Sequence, residues 1–532
     1  MALVWLVAAA VVALAIVRQN GRGEPSHSRA TSSLLSSEAA GRPSVDLVKP
    51  PGTVDRPITL KASAKARSGR IVAVTFVLDG VPLGTDTVAP YTLRLDPGLV
   101  RPDSHRLRAA AADNLGRRRS TEAFSIRTKR VRMKALIATP EKGLERALAA
   151  LRRGDVTVRL APGRYQLHDA RIGDGARLVG SGSQTVISPP SGVSYFAVLV
   201  AKGRNIAISD LTVDGGGPGP GPGRGIAIAV FDGSRDVRLS RLRLTHVRTD
   251  GVAVWGAFSN VSVQDSLIEG DGTAQAGVFA LGSDRSRDTS VIRTRVRGFR
   301  SHGILLAQKE FGRPAAALHG LALDNVVSDI RDPARDRCYD EPSTTTKCGT
   351  NEAGIWTGGV EGAIIGNTVL HARWDGIETV GSSTRTTVVG NEIRDTRTGI
   401  YLEHSTNDSL FSKNLVVHAR TGINVEWRHD GQGSARNTFT SNRIVSSERS
   451  GLFVDAGNDG NEIVKNVFVG GARPAIILQG SSDNVVRRNR ACPAGDEELV
   501  REQSASYHGG GRAVPRRNKV TGNTTSSTCR PR

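Results

Sequence analysis

Four residues beyond Gly399, Gly422 and Gly451 lie Glu403, Glu426 and Asp455, with Gln479 following in the same phase. Two positions earlier in each segment stand Tyr401, Asn424 and Phe453, and Glu378 holds that place after Gly376. Just beyond come His404, Trp427, Arg428, His429 and Asp430. If these segments stack like strands of a sheet, about 4.8 Å apart, the three carboxylates form one column. Like charges so close raise one another's pKa unless they are protonated, paired or bound to a cation. Three kinds of chemistry fit. Neighbouring carboxylates at about 4.8 Å approach the separation for retaining glycoside hydrolysis, and Glu403 with Asp455 at about 9.6 Å approach the upper inverting limit. A base such as His404, His429, Tyr401 or Arg428 would instead take the C5 proton of a uronate, with Ca²⁺ on the carboxylates neutralising the substrate acid. Epimerisation begins with that same abstraction. The candidates for catalysis are Glu403, Glu426, Asp455, His404 and His429, and those for binding are Glu378, Tyr401, Asn424, Trp427, Arg428 and Asp430. A solvated or Ca²⁺-bridged ladder that only stabilises the stack, or a non-catalytic glycan surface, uses the same residues.

The elements that would position them are read from internal repeats. A glycine followed by an apolar residue recurs at 225, 251, 277 and 303, then at 354, 376, 399, 422 and 451. A second motif runs behind it at Asn367, Asn391, Asn414, Asn442, Asn466 and Asn489. Two phased motifs in a period of about two dozen residues fit one coil of a parallel β-helix, three short strands and three turns. The gap between Gly303 and Gly354 reads as two coils sharing a loop. Alternation within Gly399-Ile400-Tyr401-Leu402-Glu403 puts Ile400 and Leu402 inside and turns Tyr401 and Glu403 to solvent. The asparagines read as a buried hydrogen-bonded stack.

Ahead of the repeats, Leu144, Ala147, Leu148 and Leu151 line one face of a helix expected over residues 140–153. Strands ending in Ala161-Pro162-Gly163-Arg164-Tyr165 and Val179-Gly180-Ser181-Gly182 follow. Helix, Pro-Gly-x-Tyr strand and Gly-Ser-Gly strand together resemble the opening of pectate-lyase-like right-handed β-helix proteins, in which the helix plugs the end of the cylinder and covers strand edges. The resemblance covers about residues 135–523 and implies a scaffold common among polysaccharide-cleaving enzymes. The paired-Asp signature of polygalacturonase-like hydrolases, the Asp-Pro-His-Glu motif of alginate epimerases and the pectate-lyase Arg motif are absent. Residues 44–128 resemble a bacterial Ig-like domain. That likeness rests on Val74-Thr75-Phe76-Val77-Leu78-Asp79-Gly80, Leu83-Gly84-Thr85-Asp86, Ala89-Pro90-Tyr91, His105-Arg106-Leu107 and Ala112-Asp113-Asn114-Leu115-Gly116. Asp79-Gly80 closes a hairpin, and Asn114 and Gly116 suit positive-φ turns.

Composition agrees with an all-β chain. Sixty glycines and 4% aromatic residues over 532 positions describe short strands and frequent turns. The formal charge of +21 suits an anionic partner, yet the basic residues are scattered rather than clustered with aromatics, so a nucleic-acid partner is not expected. Arg293, Arg295 and Arg297 alternate, as do Arg241 and Arg243, and could hold an anionic polysaccharide. Residues 2–17 are an apolar run that reads as a signal peptide or membrane anchor. Cys338 pairs best with Cys348 and Cys492 with Cys529 by sequence proximity in an oxidising compartment. The expected order is signal or anchor at 1–20, flexible linker at 21–43, Ig-like β-sandwich at 44–128 and basic connector at 129–134. A right-handed parallel β-helix with N-terminal capping helix and C-terminal cap then fills 135–532. The expected protein is a secreted or surface-tethered monomer acting on, or binding, a polysaccharide of anionic or neutral character. Ca²⁺ is the one cofactor the site residues suggest.

Overall fold

The computed structural model describes residues 41–129, 135–217, 225–308, 319–332, 352–426, 433–471, 474–492, 498–506 and 512–526. The apolar run at 2–17, most of the expected linker and the connector residues 130–134 lie outside them. Two compact units divide at Leu136.

The N-terminal unit is a two-sheet sandwich. Ser44–Leu47, Ile58–Lys65 and Tyr91–Leu95 pair antiparallel in one sheet. Ile71–Leu78 sits between Val81–Asp86 and Ser104–Asp113 in the other, which Phe124–Thr128 extends. Strict alternation in Tyr91–Leu95 sends Tyr91, Leu93 and Leu95 inward, where they join Leu60, Phe76, Leu107 and Ile126. Asp79 and Gly80 take the positive φ values of 52° and 84° that a tight hairpin requires. Gly116 is left-handed as expected, but Asn114 is not: its side-chain carbonyl accepts the Arg70 N–H at 2.8 Å instead.

From Leu136 onward the chain winds into one continuous 38-stranded coil stack. Each turn contributes a strand to three parallel sheets. Sheet 1 contains Ala353–Gly358, Asp375–Val380, Ser450–Val454 and Ile476–Gln479, together with the ends of Glu392–Leu402 and Leu415–Val425. Sheet 2 contains Glu361–Ile365, Thr387–Val389, Leu410–Ser412 and Thr438–Thr440. Sheet 3 contains Thr368–Ala372, the starts of the two long strands, and Arg443–Ser447. Inward residues align coil upon coil, as in Ile355, Ile377, Ile400, Ile423, Leu452 and Ile476, and all are fully buried. Among the described residues one α-helix occurs, Leu144–Arg153. It begins four residues later than its apolar spacing suggested, because Thr139 and Lys142 close a turn first. Its Ala147 and Leu151 enter the same core as Val158 and Ile172.

The repeat glycines are there for packing. A Cβ on Gly376 would lie 2.3 Å from Ile393 Cγ2, and one on Gly399 would lie 2.4 Å from Val416 Cγ1 and 2.5 Å from the Gly422 carbonyl. Sheet 1 therefore meets the branched side chains of sheet 3 at a distance only glycine allows. One reading of the spacing is corrected here. His302–Gln308 pairs directly with Ala353–Gly358, so the long gap after Gly303 is one coil with insertions, not two coils. That coil continues through His319–Leu323 and Val326–Ile330. Insertions at corners leave the stack unbroken, since only the strands must match.

The asparagine stack runs further than its repeat suggested, through Asn325, Asn367, Asn391, Asn414, Asn442, Asn466, Asn489 and Asn523. Each Nδ2 donates to the next Oδ1 at 2.9–3.0 Å, and each backbone N–H reaches the same oxygen. A second column, Asn437, Asn461, Asn484 and Asn518, repeats the backbone pattern at another corner. Replacing Asn414 with Ala strands the Asn391 N–H and Nδ2 and the Val388 carbonyl. The expected loss is about 1–3 kcal/mol of stability per orphaned buried group, read as a lower urea midpoint. An unchanged midpoint would remove the ladder's energetic role.

Candidate active site

The outer face of sheet 1 carries the candidate residues. Its register sets Trp356, Glu378, Tyr401, Asn424, Phe453 and Ile477 in one column. The pairing of Thr379, Leu402, Val425 and Val454 carries the next column. There the N–H groups of Glu403, Glu426 and Asp455 each continue the ladder to Thr379, Leu402 and Val425 at 3.0, 3.0 and 2.9 Å. The three carboxylates thus share a face. A third column, one residue before each repeat glycine, holds His302, Ala353, Asp375, Thr398, Thr421 and Ser450.

Side chains along the face are interlocked. Tyr401 Oη donates to Glu426 Oε2 at 2.8 Å, and Asn424 Nδ2 reaches the same oxygen at 3.4 Å. His404 Nε2 stands 3.3 Å from Glu403 Oε1. Gln479 Nε2 donates to Asp455 Oδ1 at 3.1 Å and is itself held through its Oε1 by Gln503 at 2.7 Å. The expectation that Tyr401 and Glu403 face solvent is corrected: both point outward but are 8% and 4% exposed, and Glu378 is 2% exposed. Neighbours stacked one strand spacing away cover long outward side chains, so a recessed face replaces an open one. Glu426 and Asp455 are half-buried. Trp427, Arg428, His429 and Asp430 lie outside the described residues, as do Cys338, Cys348 and Cys529. Cys492 is buried on its strand and is not a free thiol.

Three further residues lie on this face and were not singled out from sequence: Asp375, His302 and Trp356, all buried. Burial drives the Asp375 carboxyl up to about 7, and the negative charges of Glu403 and Glu426 push the same way against a Thr398 hydrogen bond and the Arg397 charge. Burial holds His302 down to about 3, so its imidazole is neutral, with its ring edge-on to Trp356 at 5.8 Å. The missed signal was positional. Asp375 and His302 immediately precede repeat glycines, where alignment of the positions following each glycine does not look. Chemically, the face sets a buried carboxyl whose pKa is raised to about 7 beside the carboxyl groups of Glu403 and Glu426.

Two sequence-family profiles match the chain. Residues 43–109 match a bacterial Ig domain, and residues 337–505 match a periplasmic copper-binding protein (NosD). No curated protein sequence matches. Among solved structures, the Yersinia enterocolitica family 28 exopolygalacturonase is 12% identical, with 91% of this chain and 99% of that one covered and a TM-score of 0.43. The mannuronan C-5 epimerase AlgE6 A-module of Azotobacter vinelandii is 14% identical over 75% of this chain and 98% of that one, with a TM-score of 0.42. The fibronectin(III)-like modules of Clostridium thermocellum CbhA are 24% identical, with a TM-score of 0.14. That match spans 16% of this chain and under half of that one, 46%. The coil stack and the two profiles define the class: a right-handed, pectate-lyase-like parallel β-helix preceded by a bacterial Ig-like domain.

The copper in one profile's name finds no matching donor set among the described residues. Cu(I) takes soft thiolate and thioether ligands, and the chain has two methionines and four cysteines in 532 residues. Among the described residues no three His, Cys, Asp or Glu side chains are placed to hold an ion. On the carboxylate column, Glu426 turns to Tyr401 and Asp455 to Gln479 rather than toward one centre.

The raised Asp375 pKa has a sign for stability. A carboxyl that holds its proton more tightly folded than unfolded contributes fully below its unfolded pKa of about 4 and loses that contribution as pH rises through about 7. Melting temperature of the wild-type chain should therefore fall across this window more steeply than that of Asp375→Asn. Parallel pH profiles for the two proteins would contradict the assignment.

Proposed function

We propose that this chain is an exported polysaccharide-active enzyme, a glycoside hydrolase or lyase, whose cleft is the outer face of sheet 1 from Asp375 to Asp455. One observation carries the reading: Asp375 retains its proton to about pH 7 beside the charges of Glu403 and Glu426. A carboxyl whose pKa is raised by burial beside further carboxyls suits the general-acid role of such a reaction. That placement favours hydrolysis. Asp375 gives its proton to the leaving glycosidic oxygen, while Glu403 or Glu426 attacks the anomeric carbon or takes a proton from the attacking water. His404, beside Glu403, orients that carboxylate, and Tyr401 and Asn424 hold Glu426. In the elimination variant His404 or Tyr401 is the base at C5.

Export agrees with the periplasmic protein and bacterial Ig domain named in the two profiles, and residues 2–17 are the proposed signal or anchor. The Ig-like unit is a spacer. Helix Leu144–Arg153 caps the first coils through Ala147 and Leu151, and a Cys492–Cys529 bond closes the last ones.

The linked Tyr401–Glu426 and Gln503–Gln479–Asp455 contacts support a second reading, a non-catalytic surface protein in which these side chains only brace the coils. Glu403→Gln and Glu426→Gln separate the two. A polysaccharide screen, read by reducing ends and by absorbance of unsaturated uronate, should find a substrate on which either variant loses about 10²–10⁴-fold in turnover while still binding it. A drop in melting temperature with no turnover on any polysaccharide would favour the brace.

A further inference from the structure

Away from this face, the corner where sheet 2 turns into sheet 3 carries a line of alternating charge. Asp210, Arg241, Asp265, Arg293 and Asp324 follow one another up successive coils, each in the left-handed region with φ between 47° and 58°. Arg241 donates to both oxygens of Asp210 at 2.6 and 2.7 Å, and Arg293 to both oxygens of Asp265 at 2.6 and 2.9 Å. These pairs fix the corner guanidiniums in place.

Two residues on, at the start of sheet 3, Arg243, Leu267 and Arg295 stack in register on the outer surface. Arg243 is 54% exposed and shares a single carboxylate, Glu269, with Arg297. Arg295 is exposed and has no carboxylate partner among the described residues. Between these arginines and the turn at Gly182–Gln184 runs a groove of about 470 Å³, whose lining carries four arginines, 241, 243, 293 and 295, against the one carboxylate of Asp265. Ser183 and Thr212 add hydroxyls to its wall.

We infer that this groove is a second, non-catalytic site that binds an anionic glycan. Arg243 and Arg295 lie two coils apart, about 9.6 Å, comparable to one disaccharide of an extended chain, so each can take an acidic group from alternate sugars. Leu267 between them offers an apolar floor to the intervening ring. Carboxylate and sulfate both match a guanidinium in planar, two-point fashion, and neutral glycans gain nothing from it. The site lies on a different sheet from the candidate cleft and holds polymer independently of turnover.

The test uses the full-length protein with heparin fragments for sulfate, oligogalacturonate for carboxylate, dextran as the neutral control and a short DNA duplex. Wild type should bind at least one anionic glycan more tightly than DNA and leave dextran unbound. The double variant Arg243→Ala/Arg295→Ala should weaken that binding at least tenfold, the Lys/Lys double variant should lose less, and the melting temperature should stay near wild type. Comparison of the heparin and galacturonate arms names the acidic group. Glu403→Gln should leave this binding unchanged. Equal affinity in the Ala/Ala variant, no binding of either anionic glycan by wild type, preference for DNA, or loss of binding in Glu403→Gln would each overturn the inference. If Ala/Ala does not fold, the Lys/Lys variant decides, since it keeps the charges and removes the two-point geometry: unchanged affinity there would overturn the inference.

Discussion

From Asn325 onward, the corner that leads into sheet 3 takes hydrogen-bond partners from the next coil. The asparagine column supplies them: one side-chain oxygen accepts both the backbone N–H and the Nδ2 of the residue one coil earlier. A slip of one residue between coils would break every such link at once and turn inward side chains outward. Register is thereby held at the corner, far from any chemistry. The repeat glycines act alongside it, because only they let sheet 1 close onto the branched residues of sheet 3. With register and spacing both fixed, residues more than twenty positions apart in sequence become lasting neighbours.

That constraint explains what the sequence reveals and what it does not. The glycine and asparagine periods are legible because packing and hydrogen bonding demand one residue type at one place in each coil. The column Glu403, Glu426 and Asp455 is legible for the same reason, since counting from a fixed glycine is counting along a fixed lattice. The gap after Gly303 misleads because corner insertions cost the stack nothing. Exposure is not legible either: alternation gives the side a residue points to, and the packing of its neighbours gives how deeply it is covered, which is why Glu403 is buried. Asp375 escapes for a further reason. Its raised pKa comes from burial and from two carboxylates on later coils, neither of which local sequence contains. In the same way the Asp–Arg alternation at the second corner is spread over more than a hundred residues and is visible only once the coils are stacked.

The two surfaces use electrostatics in opposite ways. On sheet 1, carboxyls are crowded on a recessed face, and burial together with the neighbouring Glu403 and Glu426 raises the pKa of Asp375. At the corner between sheets 2 and 3, opposite charges alternate and satisfy one another, with a surplus of guanidinium left on the groove. The first arrangement suits proton transfer, and the second suits holding an anion.

The chemistry of this face turns on the protonation of Asp375 beside Glu403 and Glu426. Infrared difference spectra of wild type against Asp375→Asn, recorded across the neutral range, would read that carboxyl itself. A protonated-carboxyl band present in wild type, lost near pH 7 and missing from the variant is the result expected. A band that has already vanished by about pH 5, near the ordinary carboxylate range, would mean that Asp375 is charged when the protein works, and the division of acid and base on this face would fall.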